Sequence, residues 1–298
     1  MSQLLIHIGF VKSGSTYLQQ WFEKHPEIYF QPKFMAQGFL NAWELAKFAQ
    51  YAPAVPDKYV LSCEDFSLWH SQPHIYGLKG AVPYNHRQFQ ERICNMLHGL
   101  FPNGSILIVT RGYASVFSSI YNQYLGMGGS CTFAEMADLN REMFLEMLDY
   151  SYVVDLYRKK FGSDKVILLP YELMRDDLYK FLSIIEKALD IQQHFTLDGG
   201  RVNASYDKKI LAAYLKTSRL VYNVLKPFPE KWQKYMYLKY TKAVRGKKPN
   251  RTIKWFAQFV KGEIDMNGMD ELIQQMKGKA DILKLEPLFA PYLKDYLL

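Results

Sequence analysis

Residues 9–16, GFVKSGST, have the composition of a loop that binds a phosphate group. The spacing of the two glycines matches a nucleoside triphosphate-binding loop, and Thr16 stands where such a loop carries its final hydroxyl. However, Ser15 occupies the place of the usual lysine, and the only lysine of this loop, Lys12, lies three residues earlier. We therefore predict that the backbone N–H groups of residues 13–16 hold one anionic group, while Lys12 contacts a different atom of the ligand.

A second candidate for phosphate binding is Arg111, which directly follows the apolar run SILIVT. Ser115 and Ser119 come four and eight residues after it, so in a helix that begins near Gly112 they lie on one face. An arginine can donate two parallel hydrogen bonds to a phosphate, and a serine can donate another. The structural alternative is an arginine in an ion pair and serines that cap the helix.

Alternating strands and helices are predicted to position these residues, because short apolar runs alternate with segments of helical periodicity. The predicted strands are 4–10, 58–65, 105–112 and 164–172, and the predicted helices are 16–26, 85–101, 113–125, 132–160 and 178–191. This order predicts the α/β class, as a three-layer sandwich with a central parallel sheet. Since such sheets bind ligands outside the carboxyl ends of their strands, we expect the loop and Arg111 to meet in one crevice.

The 298 residues are expected to form a single domain, with an α/β core at 1–200 and a basic, aromatic, mostly helical extension at 201–298. The sequence has no apolar run long enough to span a bilayer and no signal peptide, which predicts a cytoplasmic protein. Its three cysteines lack the spacing of a disulfide framework or a zinc site, so no metal site is expected.

The net charge of +8 is unevenly distributed along the chain. Residues 206–256 carry fourteen Lys and Arg against two acids. A block of this kind indicates an anionic partner, and the alternative is a solvated helix face.

Three segments together resemble the PAPS-dependent sulfotransferases, whose sulfuryl donor is 3′-phosphoadenosine 5′-phosphosulfate. GFVKSGSTYLQQWFEKHP resembles their 5′-phosphosulfate loop, which has the core Lys-Ser-Gly-Thr-Thr. RGYASVFSSIY resembles their 3′-phosphate motif, in which a Ser follows an Arg by eight residues and a Tyr comes two residues later. VILLPYELMRDDLYKFL resembles their strand-plus-helix segment ending in Tyr-Glu-Asp-Leu. The resemblance covers about residues 3–190 in the family's order.

The chain departs from the family pattern at two places. Ser15 stands where the family usually has Thr, and the C-terminal Arg-Lys-Gly plus Gly motif of the cytosolic enzymes is absent. The segments that could replace this third set of contacts are GGRVNAS, which contains Arg201, and RGKKPNRT at 245–252.

The resemblance implies PAPS as the cofactor and a role for each matching residue. The backbone of residues 13–16 would hold the 5′-phosphate, and Lys12 would contact the oxygen that bridges phosphate and sulfate. Arg111 and Ser119 would hold the 3′-phosphate, and two tyrosines would lie near the adenine. The implied cofactor-binding residues are Lys12, Ser13, Gly14, Ser15, Thr16, Tyr17, Arg111, Ser119 and Tyr171.

Sulfuryl transfer to an alcohol requires a base that removes the hydroxyl proton. Many carbohydrate-directed members of the family use Glu for this role, and Glu64 follows the second predicted strand at a suitable place in the chain. Asp65 would point to the opposite face of the strand. His70 and His74 are the alternatives, since many cytosolic members use His. We therefore predict Lys12 and Glu64 as catalytic residues, with a hydroxyl acceptor on a carbohydrate or glycolipid.

Two other classes of function stay open. An apolar strand that ends in Glu64 and Asp65 could bind Mg²⁺ in a kinase or NTPase that uses Mg-ATP, although that class needs a lysine at position 15. Alternatively, residues 206–256 could bind an anionic membrane or nucleic acid in a non-catalytic module. No nucleic-acid-binding motif is present, so we expect no nucleic-acid partner. In a sulfotransferase the same surface would suit a sugar-containing or acidic acceptor.

Overall fold

The structure is a computed structural model that describes residues 3–30, 58–63, 66–67, 85–197, 206–244, 251–260 and 262–298. Its strands are β1 (Gln3–His7), β2 (Tyr29–Phe30), β3 (Lys58–Ser62), β4 (Ser105–Thr110) and β5 (Val166–Pro170). They form one sheet in the order β2-β3-β1-β4-β5, and every neighbouring pair is parallel. The predicted parallel sheet is confirmed, and each of the four predicted strands is present with shorter bounds.

Helices cover both faces of this sheet. Up to residue 197 they are α1 (Ser15–Lys24), α2 (His86–Leu100), α3 (Tyr113–Gly126), α4 (Phe133–Leu139), α5 (Arg141–Met147), α6 (Tyr150–Phe161), α7 (Tyr171–Asp176) and α8 (Leu178–Ala188). Successive residues of β4 point to opposite faces, so Ile106 and Ile108 join one apolar layer while Leu107 and Val109 join another. The predicted three-layer α/β sandwich is therefore confirmed.

The strand register brings the carboxyl ends of the central strands to one edge. His7, the last residue of β1, lies opposite Ser62 of β3 on one side and Leu107 of β4 on the other. The next two strands in the sequence, β2 and β3, lie on one side of β1, and the last two, β4 and β5, lie on the other side. This change of direction makes β1 the topological switch point at which open α/β sheets bind ligands.

The helical stretch predicted over 132–160 is divided into the three helices α4, α5 and α6. Thr132 begins α4 with a capping box that Glu135 closes, and Asn140 separates α4 from α5. Asp149 then caps α6 by accepting a backbone N–H hydrogen bond. Neither glycine nor proline occurs at these breaks, so apolar periodicity alone does not reveal them.

The chain beyond residue 205 is mostly helical where the structure describes it. Its helices are α9 (Lys208–Leu225), α10 (Glu230–Val244), α11 (Arg251–Ala257) and α12 (Met269–Gln275), and two 3₁₀ segments follow at Asp281–Leu285 and Pro287–Tyr296. Tyr214, Leu272 and Tyr296 are buried in the same apolar layer as Ile106. A search of the described helices finds none with the length and apolarity needed to cross a bilayer.

Candidate active site

The loop after β1 turns sharply because two of its residues have a left-handed backbone. Lys12 has a φ of 62° and Gly14 has a φ of 86°. Glycine adopts this conformation without a steric penalty, whereas a residue with a side chain pays about 1–2 kcal/mol. Ser13, between the two, is buried, and its N–H donates to the carbonyl oxygen of Phe10 at 3.3 Å. The surrounding structure must therefore maintain the conformation at Lys12.

Gly14 lies in close contact with α7 and directly precedes α1. A Cβ atom on Gly14 would be 2.7 Å from Sδ of Met174 and 3.3 Å from Cδ2 of Tyr171. Both the positive φ and this lack of space require glycine here. The helix α1 then begins at the buried Ser15, while Thr16 is exposed. Because the first N–H groups of a helix have no partner within the helix, this end of α1 is suited to binding an anion.

Arg111, the first residue after β4, connects this loop to the neighbouring strand end. Its Nη1 donates to the carbonyl oxygen of Lys12 at 2.6 Å, and its Nε donates to Oγ of Ser115 at 2.7 Å. The guanidinium also lies over the ring of Tyr171, 4.3 Å from its centroid. Among the described residues, these hydrogen bonds use two of the five N–H donors of an arginine. Burial lowers the pKa of Arg111, so a bound anion would offset part of the hydration that this charge has lost.

The serines of the Arg motif lie on α3 one turn apart, as predicted. Arg111 bonds to Ser115, the nearer one, whereas Ser119 is half-buried one turn further along the helix. No hydrogen bond joins Arg111 to Ser119, both of which are described. The assignment of Ser119 to the 3′-phosphate therefore stays a prediction.

The two candidate tyrosines both pack against the apolar layer that contains Trp21 and Phe181. Tyr171 is the first residue of α7 and lies beneath the guanidinium of Arg111. Tyr17 lies in the first turn of α1, and burial raises the pKa of its hydroxyl. The structure thus brings Tyr171 together with Arg111 and the loop. The proximity of either tyrosine to an adenine stays a prediction.

A buried carboxylate that the sequence analysis did not select holds the turn after β4. Oε1 of Glu172 accepts the backbone N–H of Gly112 at 3.0 Å, and Oε2 accepts the hydroxyl of Tyr296 at 2.9 Å. The same hydroxyl lies 3.0 Å from Oγ1 of Thr110. A Cβ on Gly112 would be 2.7 Å from that of Asp295, so the C-terminal segment packs directly against this turn. An acid inside the motif VILLPYEL was the available sequence signal for Glu172.

His7 is a second residue that the sequence analysis did not select. It ends β1 and is fully buried, with Nδ1 2.8 Å from Oγ of Ser62, which also accepts the side-chain amide of Gln19 at 3.4 Å. Burial lowers the pKa of His7 to about 3, so the ring is neutral at neutral pH and carries no charge toward a phosphate. Its signal in the sequence was a histidine inside the apolar run LLIHI.

The predicted general base lies outside the described residues, but residues on both sides of it contact β1 and its loop. The N–H of Cys63 donates to the carbonyl oxygen of His7 at 3.1 Å, and Oγ of Ser67 donates to the carbonyl oxygen of Gly9 at 2.7 Å. The predicted site residues and alternatives outside the described part are Glu64, Asp65, His70, His74, Arg201 and residues 245–250.

Comparison with known proteins gives matches among solved structures. No family model matches the chain, and no curated protein matches it. A sulfotransferase from Alicyclobacillus acidocaldarius matches with 14% sequence identity and a TM-score of 0.49, over 78% of this chain and 99% of that one. Mouse sulfotransferase SULT7A1 complexed with PAP matches with 14% identity and a TM-score of 0.42, over 99% of this chain and 88% of that one. These values describe a distant likeness of fold, so we infer function from the chain's own residues.

Proposed function

We propose that this protein is a sulfotransferase that moves a sulfuryl group from PAPS to an acceptor hydroxyl. The observation that carries the proposal is the hydrogen bond of 2.6 Å from Arg111 to the carbonyl oxygen of Lys12. This bond joins two motifs that lie about a hundred residues apart in the sequence, at the edge of the sheet where a ligand is expected. The bond therefore fixes the position of Arg111 relative to the loop.

The donors at this edge suit a ligand with two separate anionic groups. The donors that we propose are the N-terminus of α1, the ammonium of Lys12, the guanidinium of Arg111 and the hydroxyl of Ser119. Neither residues 9–16 nor residues 111–121 contain an acidic side chain. Both oxygens of the nearby Glu172 are already hydrogen-bonded within the protein. The side chains present therefore fit a nucleotide with a 5′-phosphosulfate and a 3′-phosphate.

In this proposal PAPS supplies the sulfuryl group and a phosphate as the leaving group. Of the predicted N–H groups of residues 13–16, that of Ser13 donates to Phe10, so those of residues 14–16 would bind and orient the 5′-phosphate. Lys12 would stabilise the charge on the bridging oxygen. Arg111 and Ser119 hold the 3′-phosphate. Because the transition state is expected to be loose, by analogy with phosphoryl transfer, positioning and electrostatics dominate the catalysis.

We further propose Glu64 as the base that removes the proton of the acceptor hydroxyl. Its support is chain order, since Glu64 follows Cys63, whose N–H bonds to the end of β1. His70 and His74 are the alternatives, while His7 is excluded because it is fully buried and its pKa of about 3 makes it a weak proton acceptor. A sugar-containing or acidic acceptor is proposed from the Glu base and from the aromatic, basic composition of residues 206–256. Glu64→Gln should remove turnover and leave PAP binding intact.

The experiment that tests the proposed function is a thermal-shift comparison of PAP, the desulfated product of PAPS, with ATP and Mg²⁺. At a concentration one hundred times its Kd, PAP should stabilise the folded protein by about 2.7 kcal/mol. AMP, which lacks the 3′-phosphate, should stabilise it less. Stabilisation by ATP and Mg²⁺ without stabilisation by PAP would overturn the proposal and favour a kinase or NTPase.

A further inference from the structure

The hairpin of α9 and α10 exposes a group of large apolar side chains at its free end. We call residues 220–239 of this hairpin the hairpin tip. Its exposed apolar residues are Leu220, Val224, Phe228, Trp232, Tyr235, Met236 and Leu238. Single exposed apolar residues need no explanation, but seven large ones within the twenty residues 220–239 indicate an interaction surface.

Helical geometry places the exposed residues of α10 on one face. Trp232, Tyr235, Met236 and Lys239 follow one another at the i, i+3, i+4 and i+7 spacing of a single helical face. Trp232 is 59% exposed, and its ring contacts that of Tyr235 edge to face, with the centroids 6.3 Å apart. The buried residues of α10 are Tyr237, Thr241 and Val244. The helix is thus anchored along one side and presents an aromatic face on another.

The hairpin tip is preformed, because side-chain hydrogen bonds fix both its turn and its base. The side-chain amide of Gln233 donates to the carbonyl oxygens of Lys226 and Phe228 at 2.8 and 2.7 Å, which closes the turn between the helices. The hydroxyl of Tyr237 donates to the carbonyl oxygen of Gly128 at 2.8 Å, which attaches the hairpin to the core. Binding of a partner to this surface therefore carries little conformational-entropy cost for ordering the hairpin.

Basic side chains surround the apolar group. Residues 206–244 contain nine Lys and Arg and two acids, a net charge of +7. The ammonium of Lys239 lies 4.5 Å above the ring of Tyr235, which shows how closely charge and aromatic surface adjoin. The exposed lysines of this hairpin in and beside the tip are Lys226, Lys231, Lys234, Lys239 and Lys242.

We propose that the hairpin tip docks the protein onto an anionic lipid membrane. Aromatic and aliphatic side chains enter the boundary between headgroups and acyl chains, while the lysines contact anionic headgroups. A second copy of the chain fits this surface poorly, because a two-fold interface would bring together two hairpin tips that each carry four lysines and one acid, a net charge of +3. Nucleic acid also fits it less well: bases could stack on Phe228, Trp232 and Tyr235, but Leu220, Val224, Met236 and Leu238 are aliphatic and would gain no stacking from them.

Co-sedimentation of the full chain with lipid vesicles tests this inference. The protein should sediment with vesicles of phosphatidylcholine and phosphatidylserine, and less with phosphatidylcholine alone. Trp232→Ser should lower the partition coefficient about tenfold, since it removes the largest inserted apolar side chain. Lys231→Glu combined with Lys242→Glu should lower it more than tenfold, because each basic residue near the surface contributes about 1 kcal/mol.

Matched variants elsewhere serve as controls. Leu285→Ser removes an apolar side chain that is 78% exposed, and Lys180→Glu combined with Lys187→Glu makes the same charge change on α8. Both controls should bind vesicles like the unmodified chain.

Several results would overturn the inference. These are equal binding to both vesicle types, no binding to either, controls that lose as much binding as the tip variants, self-association through the tip, or a preference for duplex DNA over vesicles. Circular dichroism of each variant establishes that it is folded, and the aromatic and charge variants test the surface independently. Vesicle binding does not require turnover, so this experiment tests membrane docking independently of the proposed sulfotransferase activity.

Discussion

At the scale of single residues, the backbone of Lys12 has an observed contact, and its side chain has a proposed role. Its carbonyl oxygen accepts the hydrogen bond from Arg111, and any substitution leaves that carbonyl in place. Lys12→Ala therefore keeps this hydrogen bond and removes the side chain beyond Cβ, including the ammonium group. Turnover should fall about 10²–10³-fold, as when one transition-state donor is lost. Binding of PAP should change much less. Single-turnover kinetics with PAPS measure the first effect, and thermal shift measures the second.

The control for this variant is Lys24→Ala, which changes an exposed lysine at the other end of α1. Turnover of Lys24→Ala should equal that of the unmodified chain. If Lys12→Ala retained near-normal turnover, the ammonium group would have no part in stabilising the leaving phosphate.

Arg111 should discriminate between nucleotides with and without a 3′-phosphate. Arg111→Lys keeps a positive charge but loses the planar fork that binds two oxygens at once. We expect it to weaken PAP binding about 10- to 100-fold, which corresponds to one hydrogen bond to a charged group. AMP binding should weaken less, because AMP shares only the effect of the altered contact between residue 111 and the carbonyl oxygen of Lys12. Isothermal titration with the two ligands measures the difference.

Ser115→Ala is the matched control for Arg111, because it removes the internal partner of Nε and leaves the guanidinium itself. It should weaken PAP and AMP to a similar, small extent. Equal weakening of both ligands by Arg111→Lys would show that this arginine positions the loop without reading the 3′-phosphate.

Folding stability should depend on pH through His7. Its pKa is about 3 in the folded protein and near 6.5 in the unfolded chain, so the unfolded chain binds more protons between these values. Stability is then fully present above about pH 6.5 and falls by up to about 1.4 kcal/mol per pH unit as the pH drops toward 3. His7→Asn preserves a partner for Ser62 and should flatten this slope in urea unfolding. An unchanged slope would exclude His7 as its source.

At the scale of secondary-structure elements, the close packing of the loop on α7 depends on Gly14. Gly14→Ala would place a side chain on a residue with positive φ and would put its Cβ 2.7 Å from the sulfur of Met174. It should therefore lower the unfolding free energy by about 1–3 kcal/mol. It should also weaken PAP binding, because the N–H groups at the start of α1 would shift. Denaturant unfolding and thermal shift measure the two effects.

Gly99→Ala is the control, since a Cβ there meets nothing within 4 Å and the residue lies in α2 with an ordinary helical backbone. It should stabilise the protein by about 0.5–1 kcal/mol. A Gly14→Ala protein as stable as the unmodified chain would show that the loop can rearrange away from α7.

The same elements show what the sequence could predict and what it could not. The apolar runs before His7 and Arg111 predicted β1 and β4, because a buried parallel strand needs nearly every residue apolar. The strand β2 has two residues, Tyr29 and Phe30, and forms no run that periodicity could detect. The bond of Arg111 to Ser115 was equally undetermined, because helix spacing places Ser115 and Ser119 on one face without saying which is in reach.

At the scale of the whole molecule, the C-terminal segment offers a test of the predicted single domain, because it packs against the α/β core. Tyr296 packs with Tyr150 at a centroid distance of 5.9 Å, and Tyr150 stacks on Tyr113 at 5.4 Å. The hydroxyl of Tyr296 also bonds to Glu172 and lies within hydrogen-bond distance of Thr110, at the end of β4. The last residues of the chain thus help to hold the turn that carries Arg111, so both parts of the chain should unfold together.

Tyr296→Phe tests this cooperativity because it removes the hydroxyl and keeps the ring. The change leaves an oxygen of the buried Glu172 without its donor, so the unfolding free energy should fall by about 1–3 kcal/mol. Differential scanning calorimetry should show one transition in both proteins, with equal calorimetric and van't Hoff enthalpies, and the variant should shift all of it. Tyr292→Phe, a half-buried tyrosine of the same segment, should shift it much less. Two transitions, of which only one shifts in Tyr296→Phe, would contradict the prediction. They would show that residues 1–200 and 201–298 unfold independently, since in a single cooperative unit the substitution lowers the temperature of the whole transition.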